Sequence, residues 1–382
     1  MKCNLSDICV FRKGKVEVAN LNTKNYISTE NMLSNKSGIT DASSLPTVSL
    51  TQEYKNGDVL VSNIRPYFKK IWHAQYDGGC SNDVLVFVPK SNTDSDFLYY
   101  VLADDDFFTY SMATSKGTKM PRGDKTSIMQ YAVPMVDFYT QKKIASVLKS
   151  LDEKIELNNA INENLEQQAQ AYFQELFVDN ADPEWTTGTI SDLGTVVGGS
   201  TPSKAKPEYY TETGIAWITP KDLSINKSKF VFHGENDITE LGLKNSSATI
   251  MPEGTVLFSS RAPIGYIAIA AGEVTTNQGF KSVVPKSEVG TPFVYFFLKN
   301  TLPVIEGMAS GSTFKEVSGS TMKNVPAIIP DAETLAKFSD FCAPIFAQQR
   351  ILEGQNHSLA ILRDNLLPKL MSGEIDVSDI DL

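Results

Sequence analysis

The stretch that decides the fold is QKKIASVLKSLDEKIELNNAINENLEQQAQAYFQELF, from Gln141 to Phe177. It contains no Gly and no Pro, the residues that most weaken a helix interior. It therefore predicts one uninterrupted helix, on the order of 55 Å long at about 1.5 Å per residue. Apolar, small or amide side chains recur along it at alternating spacings of four and three, as in a heptad repeat. The members are Ile144, Leu148, Leu151, Ile155, Asn158, Asn162, Leu165, Ala169, Tyr172 and Leu176.

The same period returns near the end of the sequence. The second repeat comprises Phe338, Cys342, Ile345, Gln349, Leu352, Asn356, Leu359, Arg363, Leu366 and Leu370, with Gln349 and Arg363 as its poorer members. Because a long amphipathic helix cannot bury its apolar stripe alone, we expect the two helices to pair antiparallel, with Asn158 opposite Asn356. Alternatively, these Asn side chains face solvent or a partner protein. Pro368 predicts that the second helix stops or bends before Leu370.

The segments that precede the two helices also repeat each other. LSDI from Leu5 corresponds to ISDL from Ile190, and GDVLVSNIRP from Gly57 corresponds to GTVLFSSRAP from Gly254. FLYYVL from Phe97 corresponds to FVYFFL further along, in the same order. The collinear order of these matches indicates an internal duplication.

Short β-branched runs bounded by Gly, Pro and Asn alternate with short helical patterns in both globular parts. The fold class is therefore predicted as α/β, in the mixed α+β sense, with two domains held apart by two antiparallel helices of coiled-coil type and related by a pseudo-twofold axis. The boundaries that we predict are a first domain over 1–140, a central helical spacer over 141–180, a second domain over 181–333 and a distal helical spacer over 334–382.

The composition excludes several classes of protein. No apolar run approaches the roughly 18 residues that span a bilayer, and the N-terminus lacks the apolar core of a secretory signal. The 4 cysteines form no CxxC pair, so they are interpreted as reduced thiols of a cytoplasmic protein. The net charge of -10 argues mildly against nucleic-acid binding, but locally basic loops remain possible.

Loops at equivalent places in both halves carry groups that suit DNA. Ammonium groups and exposed backbone N–H groups suit phosphates, Arg pairs with guanine, and Asn and Gln pair with adenine. For any single residue, a solvated loop is the alternative interpretation. The candidate DNA-binding residues are Arg65, Lys69, Lys116, Lys119, Arg122, Lys125, Lys221, Arg261, Asn277, Gln278, Lys281, Ser312, Thr313 and Lys315.

Catalytic signatures are missing from the sequence. There is no phosphate-binding GxxxxGK[ST] and no HExxH, and the 3 histidines are far apart. Asp182-Pro183-Glu184-Trp185 lacks the second proline of the amino-methyltransferase tetrapeptide. Asp152-Glu153-Lys154 resembles a nuclease motif but lies inside the heptad helix. We therefore predict a binding protein with no catalytic residues and no metal site.

The order of domain, long helix, domain, long helix resembles the DNA-specificity subunit of type I restriction-modification enzymes. The most specific matches are the stretch from Gln141 quoted above, LRDNLLPKLMSGEI from Leu362 and GGSTPSKAKPEYYTETGIAWITPKDL from Gly198. The resemblance implies two target-recognition domains that each read one half of a bipartite sequence in double-stranded DNA, and helices that set the gap. It also implies two bound methyltransferase subunits, through which restriction subunits join. S-adenosylmethionine, ATP and Mg²⁺ would belong to those partners and no cofactor to this chain.

The resemblance assigns contacts between helices and docking of subunits to the two heptad repeats. The residues concerned are Ile144, Leu148, Leu151, Ile155, Asn158, Asn162, Leu165, Tyr172, Leu176, Leu352, Asn356, Leu359, Leu366 and Leu370. The sequence leaves two alternatives open. The chain could be a coiled-coil adaptor whose globular ends bind protein, or a DNA enzyme with an unrecognised site.

Overall fold

The computed structural model describes residues 2–311 and 315–380. The chain divides into two compact units. Unit 1 comprises Met1–Glu156 and His357–Leu382, and unit 2 comprises Leu157–Asn356. Each unit consists of a mixed α/β domain and parts of two long helices, which confirms the predicted fold class.

Unit 1 contains two four-stranded sheets, in the orders β2-β9-β6-β7 and β3-β5-β8-β4, and the antiparallel pair β1-β10. Its strands are β1 Lys2–Asn4, β2 Cys9–Phe11, β3 Lys15–Glu17, β4 Tyr26–Ile27, β5 Leu50–Tyr54, β6 Val59–Ser62, β7 Ile71–His73, β8 Gly78–Cys80, β9 Val84–Pro89 and β10 Ala132–Pro134. Its helices are α1 Leu5–Ile8, α2 Ser95–Ala103, α3 Asp105–Ala113, α4 Lys125–Ile128 and the first part of α5, which runs over Phe138–Gln174.

Unit 2 contains a five-stranded sheet in the order β12-β20-β17-β18-β15 and the pairs β11-β21, β13-β16 and β14-β19. Its strands are β11 Thr186–Thr189, β12 Gly194–Gly198, β13 Tyr210–Thr211, β14 Trp217–Ile218, β15 Phe230–Val231, β16 Asp237–Ile238, β17 Val256–Ser260, β18 Ile264–Ala270, β19 Thr275–Thr276, β20 Lys281–Pro285 and β21 Pro326–Ile329. Its helices are α6 Ile190–Leu193, α7 Pro220–Ile225, α8 Glu240–Lys244, α9 Thr291–Gly307, α10 Gly319–Lys323 and the first part of α11, which runs over Ala332–Ser372.

The duplication read from the sequence is present in the two units. Strands β2, β9, β6 and β7 follow the same order as β12, β20, β17 and β18. The parallel pairs β4-β8 and β14-β19 also correspond. Before α1, the Asp7 carboxylate accepts the backbone N–H of Asn4 at 2.9 Å, and before α6 Asp192 accepts that of Thr189 at 2.8 Å. The Asp of the shared Ser-Asp motif thus caps the short helix in both halves.

Both faces of the main sheet are buried in each domain. In unit 1, Val59 and Val61 lie in the same core as helices α2 and α3, whereas Leu60 between them lies in a separate core on the opposite face. In unit 2, Val256 likewise lies in one core and Leu257 in a second core on the opposite face of the sheet. This alternation is what the period of two along a strand requires. Strands β6 and β17 therefore carry their C-terminal loops on a rigid base.

Capping aspartates that the sequence analysis passed over start both long helices. Asp137 accepts the backbone N–H groups of Tyr139 and Thr140, both at 3.0 Å. Asp331 accepts that of Thr334 at 2.9 Å. Each carboxylate satisfies donors that have no partner within the first helical turn.

In unit 2, helices α5 and α11 pack antiparallel. The Asn158 side chain, fully buried, donates to the Asn356 Oδ1 atom at 2.9 Å, which is the pair expected from the heptads. Further along α5, the Gln349 amide donates to the Asn162 carbonyl at 3.1 Å, and the ring of Tyr172 lies 4.5 Å from that of Phe341. Partner numbers fall along α11 as they rise along α5. A buried Asn pair of this kind fixes register at a cost in stability.

In unit 1, the other ends of the same helices pack in the same sense. Ile144 and Leu148 share a core with Leu367 and Leu370. The expectation that Pro368 would stop or bend the helix before Leu370 was wrong about the stop, since α11 continues to Ser372. A proline removes only one backbone donor, and burial of the leucines on both sides of it holds the helix in place.

Candidate nucleic-acid interface

The basic loop of unit 1 lies against the turn that follows β6. Arg122 forms isolated β-bridges with both Ile64 and Lys116, so the loop from 116 to 122 closes on itself beside that turn. The backbone N–H of Arg65 donates to the Pro121 carbonyl at 2.8 Å. The structure thus brings Arg65 to the loop that carries Lys116, Lys119 and Arg122, although they are distant in sequence.

Most cations of this loop already have a carboxylate partner. Lys116 pairs with Asp124 at 2.7 Å and Arg122 with Asp83 at 3.0 Å. The hydrogen bond from Lys116, with those from Ser127, lowers the pKa of Asp124 to about 2. Lys119 is exposed and makes no ion pair within the parts of the chain that the structure describes. Lys119 is therefore the lysine of this loop whose charge is least compensated.

Two candidates of unit 1 have other neighbours. Lys69 pairs with Asp105 at 2.8 Å, at the start of α3. Lys125, the first residue of α4, has its Nζ atom 5.8 Å from the centre of the Phe11 ring. Lys125 therefore faces strand β2 as a cation–π partner, and no observed contact links it to the 116–122 loop.

Unit 2 repeats this arrangement with different side chains. Glu316 forms β-bridges with both Ser310 and Arg261, as Arg122 does with Lys116 and Ile64. The Val317 N–H donates to the Ser260 carbonyl at 2.9 Å. The equivalent position is thus a cation in unit 1 and an anion in unit 2. Lys315 is exposed, whereas the candidates Ser312 and Thr313 lie outside the described residues.

The Asn-Gln segment of unit 2 packs against the end of β17. Ser260 donates its backbone N–H to the Gly279 carbonyl at 2.7 Å. Asn277 uses its side-chain oxygen to accept the Gly279 N–H at 2.8 Å, and the Gln278 oxygen accepts the Thr201 hydroxyl. The side-chain oxygens of Asn277 and Gln278 therefore each accept a hydrogen bond that stabilises the loop.

Charges in this part of unit 2 are also paired. Glu316 lies 3.4 Å from Arg261 and 3.9 Å from the Lys281 ammonium. Burial lowers the pKa of Lys281, although Glu316 opposes that effect. Lys221 pairs with Glu235 at 2.5 Å. The structure therefore groups Arg261, Lys281 and the Asn-Gln segment in one place, with a carboxylate among them.

A buried polar cluster of unit 2 was missed by the sequence analysis. Glu166 on α5 pairs with Lys229 at 2.5 Å and with Lys299, and the Lys229 side chain is only 6% exposed. Gln349 accepts a hydrogen bond from Lys229 at 2.8 Å. Gln349 was the polar interruption of the second heptad repeat, and this was the one sequence signal for the cluster. The other members come from distant segments.

Arg363, the other interruption, has a comparable role in unit 1. Its guanidinium donates to the Asp152 carboxylate at 2.7 Å, and the Tyr100 hydroxyl donates to the same carboxylate at 2.7 Å. Asp152 therefore supports the contact of α5 with α11 and α2. This contact gives Asp152, the first residue of the nuclease-like tripeptide, a structural role within the helix.

Two further classes of site find no candidate in the described residues. None of their helices is both long and apolar enough to cross a bilayer. No group of three or more His, Cys, Asp or Glu side chains among them is arranged to hold a metal ion.

Comparison with known proteins agrees with the resemblance seen in the sequence. The type I restriction modification DNA specificity domain matches residues 1–167 and 183–360. The MjaIX specificity subunit of Methanocaldococcus jannaschii is 40% identical over 190 residues, which cover 47% of this chain and 44% of that protein. The HindI specificity subunit of Haemophilus influenzae is 25% identical over 434 residues, covering 92% and 94% of the two chains.

A solved structure shares the fold. The S subunit of a type I restriction-modification system from M. genitalium superposes with a TM-score of 0.61 at 17% identity, covering 97% of this chain and 96% of that one. The matched domain covers most of the sequence in two copies. The chain therefore belongs to the type I restriction-modification DNA specificity family.

Proposed function

We propose that each α/β domain reads one half of a bipartite sequence in double-stranded DNA, and that α5 and α11 set the gap between the halves. One observation carries this proposal. The same loop closes on the same turn in both units, but Arg122 in one is replaced by Glu316 in the other. An Arg donates to guanine, whereas a carboxylate accepts from cytosine, so one scaffold with exchanged side chains suits two unlike half-sites.

The candidate contacts divide between phosphates and bases. Lys119 and Lys315 are exposed at their loops and suit phosphate oxygens. Arg261, Asn277 and Gln278 carry the donor and acceptor groups that distinguish base edges. Since several cations are already paired and the net charge is -10, we assign part of the phosphate attraction to the partner subunits.

Docking of two methyltransferase subunits is assigned to the outer faces of the helices. Residues of the heptad seam such as Leu148 and Leu352 are buried within their own unit. Exposed apolar residues remain beside the seam, and they are Leu157, Ile161 and Ile351 in unit 2 and Ile361 and Leu362 in unit 1. Exposed apolar surface on a helix suits a protein partner. Restriction subunits would join through the methyltransferase.

The chemistry belongs to those partners in this proposal. S-adenosylmethionine, ATP and Mg²⁺ would be bound by the partner subunits and not by this chain. The complex would act in the cytoplasm, where the host DNA lies.

The test is to produce the chain with and without its methyltransferase subunit and to map methylated bases across a genome. We expect no methylation by the purified chain supplied with S-adenosylmethionine, and methylation at one bipartite sequence once the subunit is added. Replacing residues 1–140 by the same region of a relative should change one half of that sequence only. Methylation by the chain alone would indicate an enzyme, and an unchanged target after the exchange would indicate an adaptor.

Lys119→Ala should weaken DNA binding by the complex and reduce the slope of log affinity against log salt by about one, because one phosphate contact is lost. Lys315→Ala should act similarly through the second half-site, because Lys315 is also exposed at its loop. Lys24, exposed in unit 1 but outside these loops, provides the matched control Lys24→Ala. A salt slope for Lys119→Ala equal to that of the control would argue against a phosphate contact.

A further inference from the structure

Left-handed backbone is concentrated in one place of unit 1. Five residues other than Gly have a positive φ among those described, and four of them are Asn35 (57°), Lys36 (61°), Arg65 (51°) and Lys69 (50°). Asn tolerates this conformation, but Arg and Lys have no local compensation for it. Strain of this kind persists only where surrounding contacts hold it, and it is frequent at binding sites.

These four residues belong to two turns that hold each other. The backbone N–H of Asn35 donates to the Phe68 carbonyl at 2.8 Å, and that of Lys36 donates to the Lys69 carbonyl at 2.9 Å. The Asp105 carboxylate also pairs with the ammonium groups of Lys36 and Lys69, both at 2.8 Å. The turn between Arg65 and Lys69 is therefore held in place by these backbone hydrogen bonds and ion pairs.

Two aromatic rings occupy the outer side of this turn. Tyr67 is 49% exposed and Phe68 is 37% exposed, and their ring centres lie 4.7 Å apart. Neighbouring large aromatics that face solvent on a rigid support are typical of a recognition surface. The support matters, because a preorganised contact loses little conformational entropy on binding.

The charges around the two rings favour DNA as the partner. Arg65 makes no ion pair with any described residue, and its buried Nε atom has no hydrogen-bond acceptor there. Its backbone is joined to the loop that carries Lys119 by the hydrogen bond to Pro121. An aromatic pair beside Arg65 and close to the loop of Lys119, the two cations here without an ion pair among the described residues, suits bases with phosphates nearby.

We propose that Tyr67, supported by Phe68, stacks on or between bases of the first half-site and is a specificity-determining residue of unit 1. The inference rests on the function proposed above. The corresponding turn in unit 2 begins APIGY from Ala262 and places the half-buried Ile264 where unit 1 has its aromatic pair. The contact therefore belongs to one half-site only, and it adds a stacking contribution to the hydrogen bonds and charges of the loops.

The experiment compares complexes of the full chain with its methyltransferase subunit. The variants are wild type, Tyr67→Ala, Tyr67→Phe and the control Tyr76→Ala, since Tyr76 is 39% exposed in the same unit but lies outside both turns. Methylation rates at limiting complex are measured on the wild-type target and on duplexes with each base pair of either half-site replaced. DNA affinity is measured over a range of salt concentrations.

We expect Tyr67→Ala to reduce methylation about 10-fold or more and to relax base preference within the first half-site, the size expected for one lost stacking contact. The salt slope should not change, because Tyr carries no charge, and Tyr67→Phe should stay near wild type. In the wild-type complex, the fluorescence of 2-aminopurine placed within the first half-site should change at the contacted step because its stacking partners change, which gives a second readout independent of the variants.

Three outcomes would overturn the inference while leaving the proposed function intact. These are wild-type behaviour of Tyr67→Ala, an equal loss in Tyr76→Ala, and no 2-aminopurine response along the first half-site. A fourth is weakened assembly of Tyr67→Ala with the methyltransferase at unchanged base preference, which would assign the rings to the protein partner. Failure of the wild-type complex to methylate any bipartite sequence would instead overturn the proposed function and this inference with it.

Discussion

Removal of one heptad from each long helix, residues 154–160 and 354–360, is expected to abolish methylation of the original bipartite sequence. The two segments face each other in the antiparallel pairing defined by Asn158 and Asn356, so their joint removal keeps the seam in register. Seven helical residues correspond to about 10.5 Å, or about three base pairs. Methylated bases mapped across a genome should therefore keep the same half-sites, with any remaining activity at a shorter gap.

The control is removal of residues 154–160 alone. That deletion leaves the other helix at full length, so the seam loses its register and the free energy of unfolding should fall without a new target appearing. Retention of the original gap by the double deletion would show that the helices do not set the spacing.

Glu166→Ala is expected to lower the free energy of unfolding by about 3–5 kcal/mol, because it leaves the buried ammonium of Lys229 without its carboxylate. Three rings lie around that ammonium, the nearest being Phe346 at 3.9 Å from its centre, and they replace only part of the lost interaction. Urea unfolding followed by fluorescence would measure the change. Glu163→Ala, exposed on the same helix, should stay within about 0.5 kcal/mol of wild type.

The same cluster predicts sensitivity to acid. Burial acts to raise the pKa of Glu166, but Lys229 and Lys299 together lower it below its ordinary value. The stabilisation is therefore fully present above the unfolded pKa of about 4.3 and is lost as the pH falls through the lower folded pKa. Glu166→Ala should flatten this part of the stability curve. An equally steep acid limb in the variant would contradict the assignment.

The two long helices could be predicted because a heptad repeat shows which face of a helix is buried, whatever that face packs against. Every member of both heptad seams is buried or half-buried in its unit. Pro368 was misjudged because its local effect competes with burial of Leu367 and Leu370, and the size of that burial is a tertiary property. The starts of both long helices could have been predicted from Asp137 and Asp331, because the spacing of each Asp to the following Thr is a capping signal.

The positions of the loops could be predicted from the sequence. The ion pairs of their charged side chains could not. The sequence places Arg122 and Lys116 in one loop, yet their carboxylate partners Asp83 and Asp124 are found only by following the fold. Lys229 and Glu166 lie in separate segments that no local pattern connects. Whether the candidate residues touch bases or phosphates stays a prediction.

The division of the chain has a consequence for the nascent protein. Unit 2 is one continuous segment, Leu157–Asn356, whereas unit 1 needs residues from both sides of it. On the ribosome, every residue of unit 2 is therefore synthesised before Leu367 and Leu370 can close the core of unit 1. The domain that is translated first is thus the last to be completed, and the apolar surface that Leu367 and Leu370 will cover stays exposed while unit 2 is synthesised.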